Sequence, residues 1–363
     1  MSKSFFVESL RSARFCGIFR RIFLWTYPRE SVRLTAPFNE SSISFSAGEV
    51  KNNRIFNRKN FTGMSALLSA KNEVLKYDAV IITGASSGIG EAFARFVVDA
   101  FEAERGGASA SAGANFGADD GFGAEARPVR VFNISRSPTQ FESCPIFESV
   151  ECDLTDRDAL GRAAERIKSR LCDLSKALLR APKILLVNNS GFGAYGAFPK
   201  PELRRNLDMV SLNVSAVVAL CGLFLPEIVA GRGGIINVAS TAAFQACPQL
   251  SVYAATKAFV KSFSMSLSDE LRGEGCKCLC VCPGPTSSMF FKSAGFESAP
   301  LPKWYGHKPE DVALAAFAAL SRDAEFVVVG LLNRVQTLLV RLLPERILLR
   351  VSGAVLRRLR RLD

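Results

Sequence analysis

The amino-acid sequence predicts an α/β fold in which helices flank a doubly wound parallel sheet of about seven strands. Short apolar runs alternate with longer stretches of helical pattern, the order that repeated βαβ units produce. Several runs are uninterrupted apolar blocks, as expected for parallel strands covered on both faces. The predicted strands are 79–83, 129–134, 149–151, 184–187, 234–238, 277–281 and 326–329, and the helical segments between them include 91–104, 156–180 and 201–230.

Positive charge is concentrated at the two ends of the chain. Residues 1–63 carry 11 Lys/Arg against 4 Asp/Glu, and residues 331–363 carry 8 against 2. The stretch 64–330 carries 27 against 28, although the whole chain has a formal net charge of +12. The charge is therefore expected to act through the ends and not through the central domain.

The same division suggests one domain with two extensions. Residues 1–70 are expected to be a basic extension that is disordered or not part of the core. A single domain is predicted over 71–332, with a Gly/Ala-rich low-complexity insertion at 105–127. Residues 333–363 place Leu and Val at helical spacing among arginines, which predicts a basic amphipathic helical tail.

Neither the cysteines nor the histidine favours metal or nucleophilic chemistry. Cys276, Cys278, Cys280 and Cys282 alternate along one predicted strand, so they share one face and cannot converge on one ion. We expect them to be small buried hydrophobic residues in a reducing cytoplasm. His307 is the only histidine, which argues against Ser–His, Cys–His and zinc mechanisms, and we expect it to be solvated in a loop.

A glycine-rich turn follows the first predicted strand. In AVIITGASSGIGEAF, Gly84, Gly88 and Gly90 have the spacing G-x3-G-x-G between a strand and a helix. Glycines let the backbone approach a pyrophosphate, and the free N–H groups of the helix N-terminus favour the anion. The sequence therefore predicts a dinucleotide site of the Rossmann type.

The end of the second predicted strand bears on the choice of dinucleotide. NAD-preferring Rossmann proteins place an acidic residue near this point to bind the ribose 2′-OH, and none occurs over 129–140. Arg136 follows the strand, and its guanidinium could pair with a 2′-phosphate. The alternative is a solvated surface arginine. On this residue the sequence favours NADP(H) over NAD(H).

The segment SVYAATKAFVKSFS carries a candidate acid–base pair. Tyr253 and Lys257 are four residues apart, so they share one face of a helix. A nearby ammonium is expected to lower the tyrosine pKa from about 10 into a working range for proton transfer. Ser240 ends the fifth predicted strand and could hydrogen-bond a substrate carbonyl oxygen. The alternative is a chance pair on a surface helix.

Taken in order along the chain, these motifs resemble the short-chain dehydrogenase/reductase family over roughly 77–330. The glycine turn, the sequence N-N-S-G at 188–191, the serine, the Tyr-x3-Lys and a Pro-Gly pair occur in the family's order. The resemblance implies that Tyr253 is the general acid/base, that Lys257 binds the ribose and lowers the tyrosine pKa, and that Ser240 positions the substrate. It also implies that Asn213 holds a water in the proton relay.

The resemblance further implies the residues that surround the cofactor. Asp153 would contact the adenine ring, and Pro283, Gly284 and Thr286 would border the nicotinamide. The implied catalytic residues are Asn213, Ser240, Tyr253 and Lys257. The expected cofactor-binding residues are Thr83, Gly84, Ser86, Ser87, Gly88, Ile89, Gly90, Arg136, Asp153, Leu154, Asn189, Gly191, Tyr253, Lys257, Pro283, Gly284 and Thr286.

Aromatic residues mark the predicted substrate side. In the family, the segment after Pro283 forms a lid over the substrate. Here it contains Phe290, Phe291, Phe296, Trp304 and Tyr305. Apolar lining indicates an apolar carbonyl or alcohol substrate. The alternative is that some of these rings only anchor the lid to the core.

The basic tail leaves its partner open. It could lie on an anionic membrane surface, or dock on the parent domain or on a partner subunit. No run in it reaches the length of a membrane span, and no nucleic-acid recognition module is recognisable, so nucleic-acid binding is not expected. Together with the motifs, the GLLNR and LLP sequences of the tail resemble a bacterial subgroup of mostly unassigned substrate. This implies the cytoplasm, with membrane-peripheral contact as an option, and a homodimer or homotetramer.

Two function classes follow. The first is an NADP(H)-dependent oxidoreductase that reduces an apolar carbonyl, or oxidises the alcohol, with Tyr253 as proton donor. The second is a non-catalytic dinucleotide sensor that associates with a membrane or partner through the tail. A sensor has no use for a proton relay, so the intact Ser240, Tyr253 and Lys257 favour the enzyme.

Overall fold

The computed structural model describes residues 58–111, 128–287, 290, 294 and 306–360, which lie within one compact unit, Phe56–Asp363. Its centre is a seven-stranded parallel sheet in the order β3-β2-β1-β4-β5-β6-β7. The order reverses beside β1, so the sheet is doubly wound and the predicted fold class is confirmed. The strands are β1 Ala79–Thr83, β2 Arg130–Ser135, β3 Phe147–Glu151, β4 Ile184–Asn188, β5 Gly234–Val238, β6 Lys277–Cys282 and β7 Phe326–Val328.

Helices cover both faces of the sheet. They are α1 Arg58–Val74, α2 Gly88–Ser111, α3 Arg157–Leu178, α4 Leu203–Val210, α5 Ala216–Ala230, α6 Ser251–Arg272, α7 Pro309–Leu320, α8 Leu331–Leu342 and α9 Glu345–Arg360. A π-helical turn, Ser211–Ser215, joins α4 to α5, and a short 3-10 turn, Thr241–Phe244, follows β5.

The two apolar layers follow from the alternation of side chains along each strand. On one face, Phe93 of α2 meets Phe317 of α7 edge-on at 5.5 Å between ring centroids. On the other face, Cys278, Cys280 and Cys282 of β6, and Cys276 just before it, are all buried among apolar side chains of α5 and α6. Their shared face agrees with the predicted spacing.

The joined helix Leu203–Ala230 is long and apolar enough, by length and composition, to cross a membrane. Leu220, Phe224 and Ile228 on its inner side are nevertheless buried against the sheet. Its apolar composition is therefore explained in part by the sheet that it covers.

Two boundaries differ from those predicted. The boundary at residue 70 falls inside α1, whose Ala70 and Val74 are fully buried beneath α7. Glu73 of this helix is also buried and accepts hydrogen bonds from Lys76 and Lys277. The predicted insertion begins within α2, which continues to Ser111, while 1–57 and 112–127 lie outside the described residues.

The predicted tail is two helices. α8 ends at Leu342, and Leu343 is extended (φ −95°, ψ 142°) because the following Pro344 disfavours helical backbone in the residue before it. α9 starts again at Glu345.

Candidate active site

The turn between β1 and α2 contains three glycines, each required by its backbone conformation or by a close contact. Gly84 and Gly88 have φ of +72° and +61°, a left-handed conformation that strains other residues. A Cβ on Gly90 would lie 2.1 Å from the Gly84 carbonyl oxygen, and one on Gly84 would lie 2.6 Å from the Ser190 hydroxyl. The turn therefore needs glycine at these positions. It leads directly into the N-terminus of α2, a place where an anion is favoured.

Thr83 ties this turn to the end of β4. Its hydroxyl accepts hydrogen bonds from the Asn189 and Ser190 amides at 2.9 and 3.0 Å. The Asn189 side chain in turn donates to the Thr83 carbonyl at 3.0 Å. The two predicted cofactor loops, at 83–90 and 188–191, thus form one hydrogen-bonded surface at the carboxyl edge of the sheet.

The predicted adenine side lies at the ends of β2 and β3. Arg136 is 73% exposed and lies 3.7 Å from the Asp153 carboxylate. Hydrogen bonds from the amide and hydroxyl of Thr155 hold the pKa of Asp153 below its ordinary value. Leu154 is buried. Sequence reasoning missed Asn133, whose buried side chain accepts from the Ala85 amide at 3.0 Å and so fixes the glycine turn to β2.

Tyr253, Lys257 and Ser240 come together beyond the end of β5. Ser240 lies close enough to the Tyr253 hydroxyl to affect its pKa, and it caps the 3-10 turn by accepting from the Ala242 amide at 3.1 Å. Lys257 donates to the Val238 carbonyl at 2.8 Å, and its Nζ lies 5.9 Å from the centroid of the Tyr253 ring. Both side chains are buried, so the alternative of an exposed surface pair does not describe them.

The pKa values of this pair differ from the prediction. Burial raises the pKa of Tyr253 to about 12, and the polar Ser240 side chain opposes this only in part. Burial also lowers the pKa of Lys257 to about 8. The predicted lowering of the tyrosine pKa by the ammonium is not seen, because desolvation is the largest influence on the phenol and only the Ser240 side chain opposes it. The phenol is therefore protonated at neutral pH, the form that can donate a proton.

Asn213 lies in the π-helical turn between α4 and α5. Its side chain donates to the Phe192 carbonyl and to the Thr256 hydroxyl, and accepts from the Phe192 amide, at 3.0 to 3.1 Å. A Cβ on Gly191 would lie 2.9 Å from its Oδ1. Turns of this type occur often at functional sites. Here the turn points Asn213 between the β4 loop and the helix that carries Tyr253.

A buried polar chain that sequence reasoning missed holds α6 in place. Asn188 at the end of β4 donates to Asn237 of β5 at 2.8 Å, and Asn237 donates to Ser264 of α6 at 2.9 Å. These hydrogen bonds join β4, β5 and α6. They therefore fix the position, relative to the sheet, of the helix that carries Tyr253 and Lys257. Because the partners lie far apart in the chain, only the polar residues within apolar strands hinted at them.

An apolar surface faces the Tyr253 ring. Phe290, from the predicted lid, lies 5.1 Å from it between ring centroids and also contacts Gly193, where a Cβ would come within 2.6 Å of the ring. Met209 and Ala194 are buried in the same cluster, which sequence reasoning had not singled out. Phe291, Phe296, Trp304 and Tyr305 lie outside the described residues.

The turn after β6 is clamped from two sides. The Pro283 carbonyl accepts from Thr241, and the Thr286 hydroxyl donates to the Gly284 carbonyl at 3.0 Å. The backbone of His307 pairs with that of Thr286 in an isolated parallel β-bridge. The His307 ring nitrogen Nε2 lies 3.0 Å from Asn333 Nδ2. The prediction of a solvated His307 is therefore wrong, because the ring is partly buried against α8. Asn333, predicted to belong to the tail, is a buried residue beside this turn.

The doubly wound sheet and the glycine turn at its switch point define the class, the dinucleotide-binding oxidoreductases of Rossmann type. The sequence profile of the short chain dehydrogenases matches residues 136–297. A serine 3-dehydrogenase of Agrobacterium fabrum is 28% identical over 58% of this chain and 73% of its own. An inactive 2-(S)-hydroxypropyl-CoM dehydrogenase of Xanthobacter autotrophicus is 30% identical over 49% of this chain and 79% of its own.

Solved structures share the fold. A short-chain dehydrogenase from Sphingobium yanoikuyae in complex with NADPH superposes with a TM-score of 0.55 at 24% identity, covering 72% of this chain and 91% of its own. One from Burkholderia cenocepacia in complex with NADP has a TM-score of 0.54 at 21% identity, covering 74% and 98%. The present chain belongs to the short-chain dehydrogenase/reductase family. Its predicted assignment as an NAD(P)-dependent oxidoreductase is thereby confirmed.

Proposed function

We propose that the protein transfers hydride between NADP(H) and an apolar carbonyl or alcohol, with Tyr253 as the proton donor in the reductive direction. One observation carries this proposal: beyond the carboxyl end of β5, the buried Tyr253 side chain lies near Ser240 and packs in the apolar cluster with Met209, Ala194 and Phe290. A protonated phenol in that position can supply the proton that a reduced carbonyl oxygen requires.

The cofactor cradle fits a dinucleotide. The glycine turn packs so closely on itself and on the β4 loop that a Cβ at Gly84 or Gly90 would strike Ser190 or the Gly84 carbonyl. This tight turn leads directly into the N-terminus of α2, where the anionic pyrophosphate is favoured. In this proposal the glycine turn and Ser86, Ser87 and Ile89 hold the pyrophosphate, and Asp153 and Leu154 border the adenine. Asn189, Gly191 and Lys257 hold the nicotinamide ribose. NADPH supplies the hydride.

The chain's own groups supply the rest of the chemistry. Ser240 hydrogen-bonds the carbonyl oxygen and stabilises the charge that develops on it. Tyr253 gives its proton to that oxygen, and Lys257, which is still largely protonated near neutral pH, helps to return a proton to the phenolate. Asn213 is proposed to position the relay that leads to Lys257. Pro283, Gly284 and Thr286 orient the nicotinamide.

The finer cofactor and substrate preferences rest on separate features. Exposed Arg136 at the end of β2 supports a preference for NADP(H), since its guanidinium is available to a 2′-phosphate. The solved relatives from Sphingobium yanoikuyae and Burkholderia cenocepacia are complexes with NADPH and NADP, which is consistent with this. The cluster of Phe290, Met209 and Ala194 beside Tyr253 supports an apolar substrate.

A homodimer or homotetramer in the cytoplasm completes the proposal. Large apolar side chains of α4 and α6, among them Leu207 and Phe259, are about half exposed, and a second copy of the chain could cover them. The nine cysteines among the described residues are all free, which is consistent with a reducing compartment.

The test is NADPH oxidation with a panel of apolar ketones. Tyr253→Phe should lose at least about a thousandfold in kcat/KM, since general acid catalysis and oxyanion contacts are lost together. Tyr77→Phe is the matched control, because Tyr77 lies before β1 at the opposite edge of the sheet. Activity that survives Tyr253→Phe would refute the mechanism. Tight NADPH binding without turnover of any ketone would favour the dinucleotide sensor instead.

A further inference from the structure

The outward side of α8 is apolar and its inward side is polar. Asn333 and Thr337 are buried, with exposed fractions of 1% and 7%. Leu331, Val335 and Leu342, at helical spacing on the other side, are exposed by 75%, 37% and 45%. A surface helix of a globular protein in water has the opposite arrangement, with its apolar stripe facing the core.

The helix α9 repeats this arrangement. Ser352 and Gly353 face inward, and the Ser352 hydroxyl donates to the Ala246 carbonyl at 3.2 Å. Ile347 and Val351, one turn apart, are exposed by 46% and 54%. Leaving such side chains in water forgoes the stabilisation that their burial would give. The exposed apolar sides of these two successive helices are here called the outer face of α8 and α9.

Arginines border this outer face. Arg341, Arg346 and Arg350 are exposed among the apolar residues, and 331–363 holds eight arginines against two acidic residues. Within the part of the chain that the structure describes, Arg346 and Arg350 form no ion pair. An apolar stripe flanked by unpaired positive charge is the pattern of a helix that lies at the surface of an anionic membrane.

We propose that the outer face of α8 and α9 binds the surface of an anionic phospholipid membrane. Acyl chains would cover the exposed Leu, Ile and Val side chains, and lipid phosphates would pair with the arginines. A second copy of the chain is a poorer occupant. A two-fold contact through this face would set its positive charge against the same charge on the partner.

The helices that carry the outer face pack, through other residues, against the segment that follows Ser240. The Phe244 ring, four residues after Ser240, lies 5.8 Å from the Arg341 guanidinium and 5.0 Å from Lys261 Nζ. Ala246, which accepts from Ser352, follows in the same segment. Membrane binding would therefore hold this rim of the site within about one helix diameter of the lipid. Resting on the proposed function, this identifies the substrate class as an apolar carbonyl dissolved in the bilayer.

Vesicle flotation of the full-length protein tests the surface directly. Vesicles of phosphatidylcholine with about one third phosphatidylglycerol are compared with phosphatidylcholine alone. We expect binding to the anionic vesicles only, and a decrease with rising salt. Removing a charge near such a surface costs about fivefold in partition, so Arg346→Gln/Arg350→Gln should bind roughly thirtyfold more weakly. Ile347→Ser/Val351→Ser should also weaken binding, by removing apolar contact.

Arg166→Gln/Arg170→Gln is the matched control, with the same charge change and spacing on the exposed side of α3, where both arginines pair with Glu148. It should bind as the wild type does, and unfolding curves should show that all variants fold. Failure of the wild type to bind anionic vesicles would overturn the proposal. Equal binding by wild type and the 346/350 variant would do so too. A dimer that Ile347→Ser/Val351→Ser dissociates would show that another copy covers the face, and would also overturn it.

A second assay separates this inference from the proposed function. A long-chain ketone dissolved in anionic vesicles and a short water-soluble ketone are given to wild type and to the 346/350 variant. We expect the variant to lose activity only on the vesicle-bound ketone. Equal activity of both proteins on it would refute delivery from the bilayer. If the wild type reduces neither ketone, the proposed function fails, whereas the flotation result still decides the membrane contact.

Discussion

The Asn333 side chain lies directly on Gly284: a Cβ at position 284 would be 2.2 Å from Asn333 Nδ2. Asn333 also donates to the Val329 carbonyl at 2.7 Å and contacts His307 Nε2 at 3.0 Å. The His307 amide in turn donates to the Pro285 carbonyl at 3.0 Å. The turn proposed to orient the nicotinamide is thus held by the first turn of α8, whose opposite side is the outer face.

Gly284→Ala should displace this turn. The added methyl would force Asn333 or the backbone to move, at a cost of about 1–3 kcal/mol in the free energy of unfolding. We expect kcat to fall at least about tenfold, because a small displacement of a positioning group is costly in catalysis. The double variant Gly284→Ala/Asn333→Ala removes the clash and should recover part of both losses. Thermal unfolding and steady-state kinetics measure them, and an absence of any recovery would contradict the contact.

Lys257→Met should change how stability depends on pH. Because the folded pKa of about 8 lies below the unfolded 10.5, the unfolded chain binds more protons between these values. The free energy of unfolding of the wild type should therefore rise with pH across that window, by on the order of 3 kcal/mol from this residue. The variant should lack this rise. It should be more stable at pH 7 by about 2 kcal/mol, after loss of the bond to Val238, about 1 kcal/mol.

Urea unfolding at pH 7 and at pH 10 measures both quantities for wild type and variant. Lys261→Met, one turn further along α6, makes the same substitution and should keep the wild-type dependence. Parallel pH profiles for wild type and Lys257→Met would show that burial does not penalise the ammonium. The variant should also be inactive, which would make this lysine a case of stability given up for function.

The sheet could be predicted from the sequence because its strands are buried on both faces. β1 and β5 have the predicted bounds, and β6 extends the prediction by one residue, to Cys282. Such strands read as apolar runs whatever surrounds them. The sequence did not predict α1 because the alternation of apolar and polar residues along this helix is weak. The helix buries the charged Glu73 and leaves the apolar Leu68 62% exposed.

The sequence predicted which residues form the site, but not the contacts that hold them in place. Residues four apart share one face of any helix, so the sequence alone predicts that Tyr253 and Lys257 are neighbours. Their pKa values depend on burial, which no local pattern reports. The contact of His307 with Asn333 joins residues from two segments that flank α7 and β7, and only the packing of α8 on the sheet brings them together.

Ser240→Ala should separate catalysis from local structure. Ser240 contacts the Tyr253 hydroxyl and also caps the 3-10 turn, so the variant loses a catalytic contact and about 1 kcal/mol of capping. We expect kcat/KM to fall by about a hundredfold or more. Ser240→Thr keeps a hydroxyl and should retain the cap and most of the activity. If both variants lose the same activity, the hydroxyl is not the group that acts on the substrate.

Arg136→Ala should change the cofactor preference and little else. The Arg136 side chain is 73% exposed and its ion pair with Asp153, at 3.7 Å, is long, so the variant should unfold within about 0.5 kcal/mol of the wild type. A charge-assisted contact to a 2′-phosphate contributes about 1.5–3 kcal/mol, so the ratio of kcat/KM for NADPH over NADH should fall roughly 10- to 100-fold. The fall should come from NADPH alone, since NADH offers no phosphate there. Arg130→Ala, at the other end of β2, is the matched control and should leave the ratio unchanged. If the ratio of kcat/KM for NADPH over NADH is the same in wild type and Arg136→Ala, Arg136 does not determine the cofactor preference, and the proposed preference for NADP(H) loses its basis.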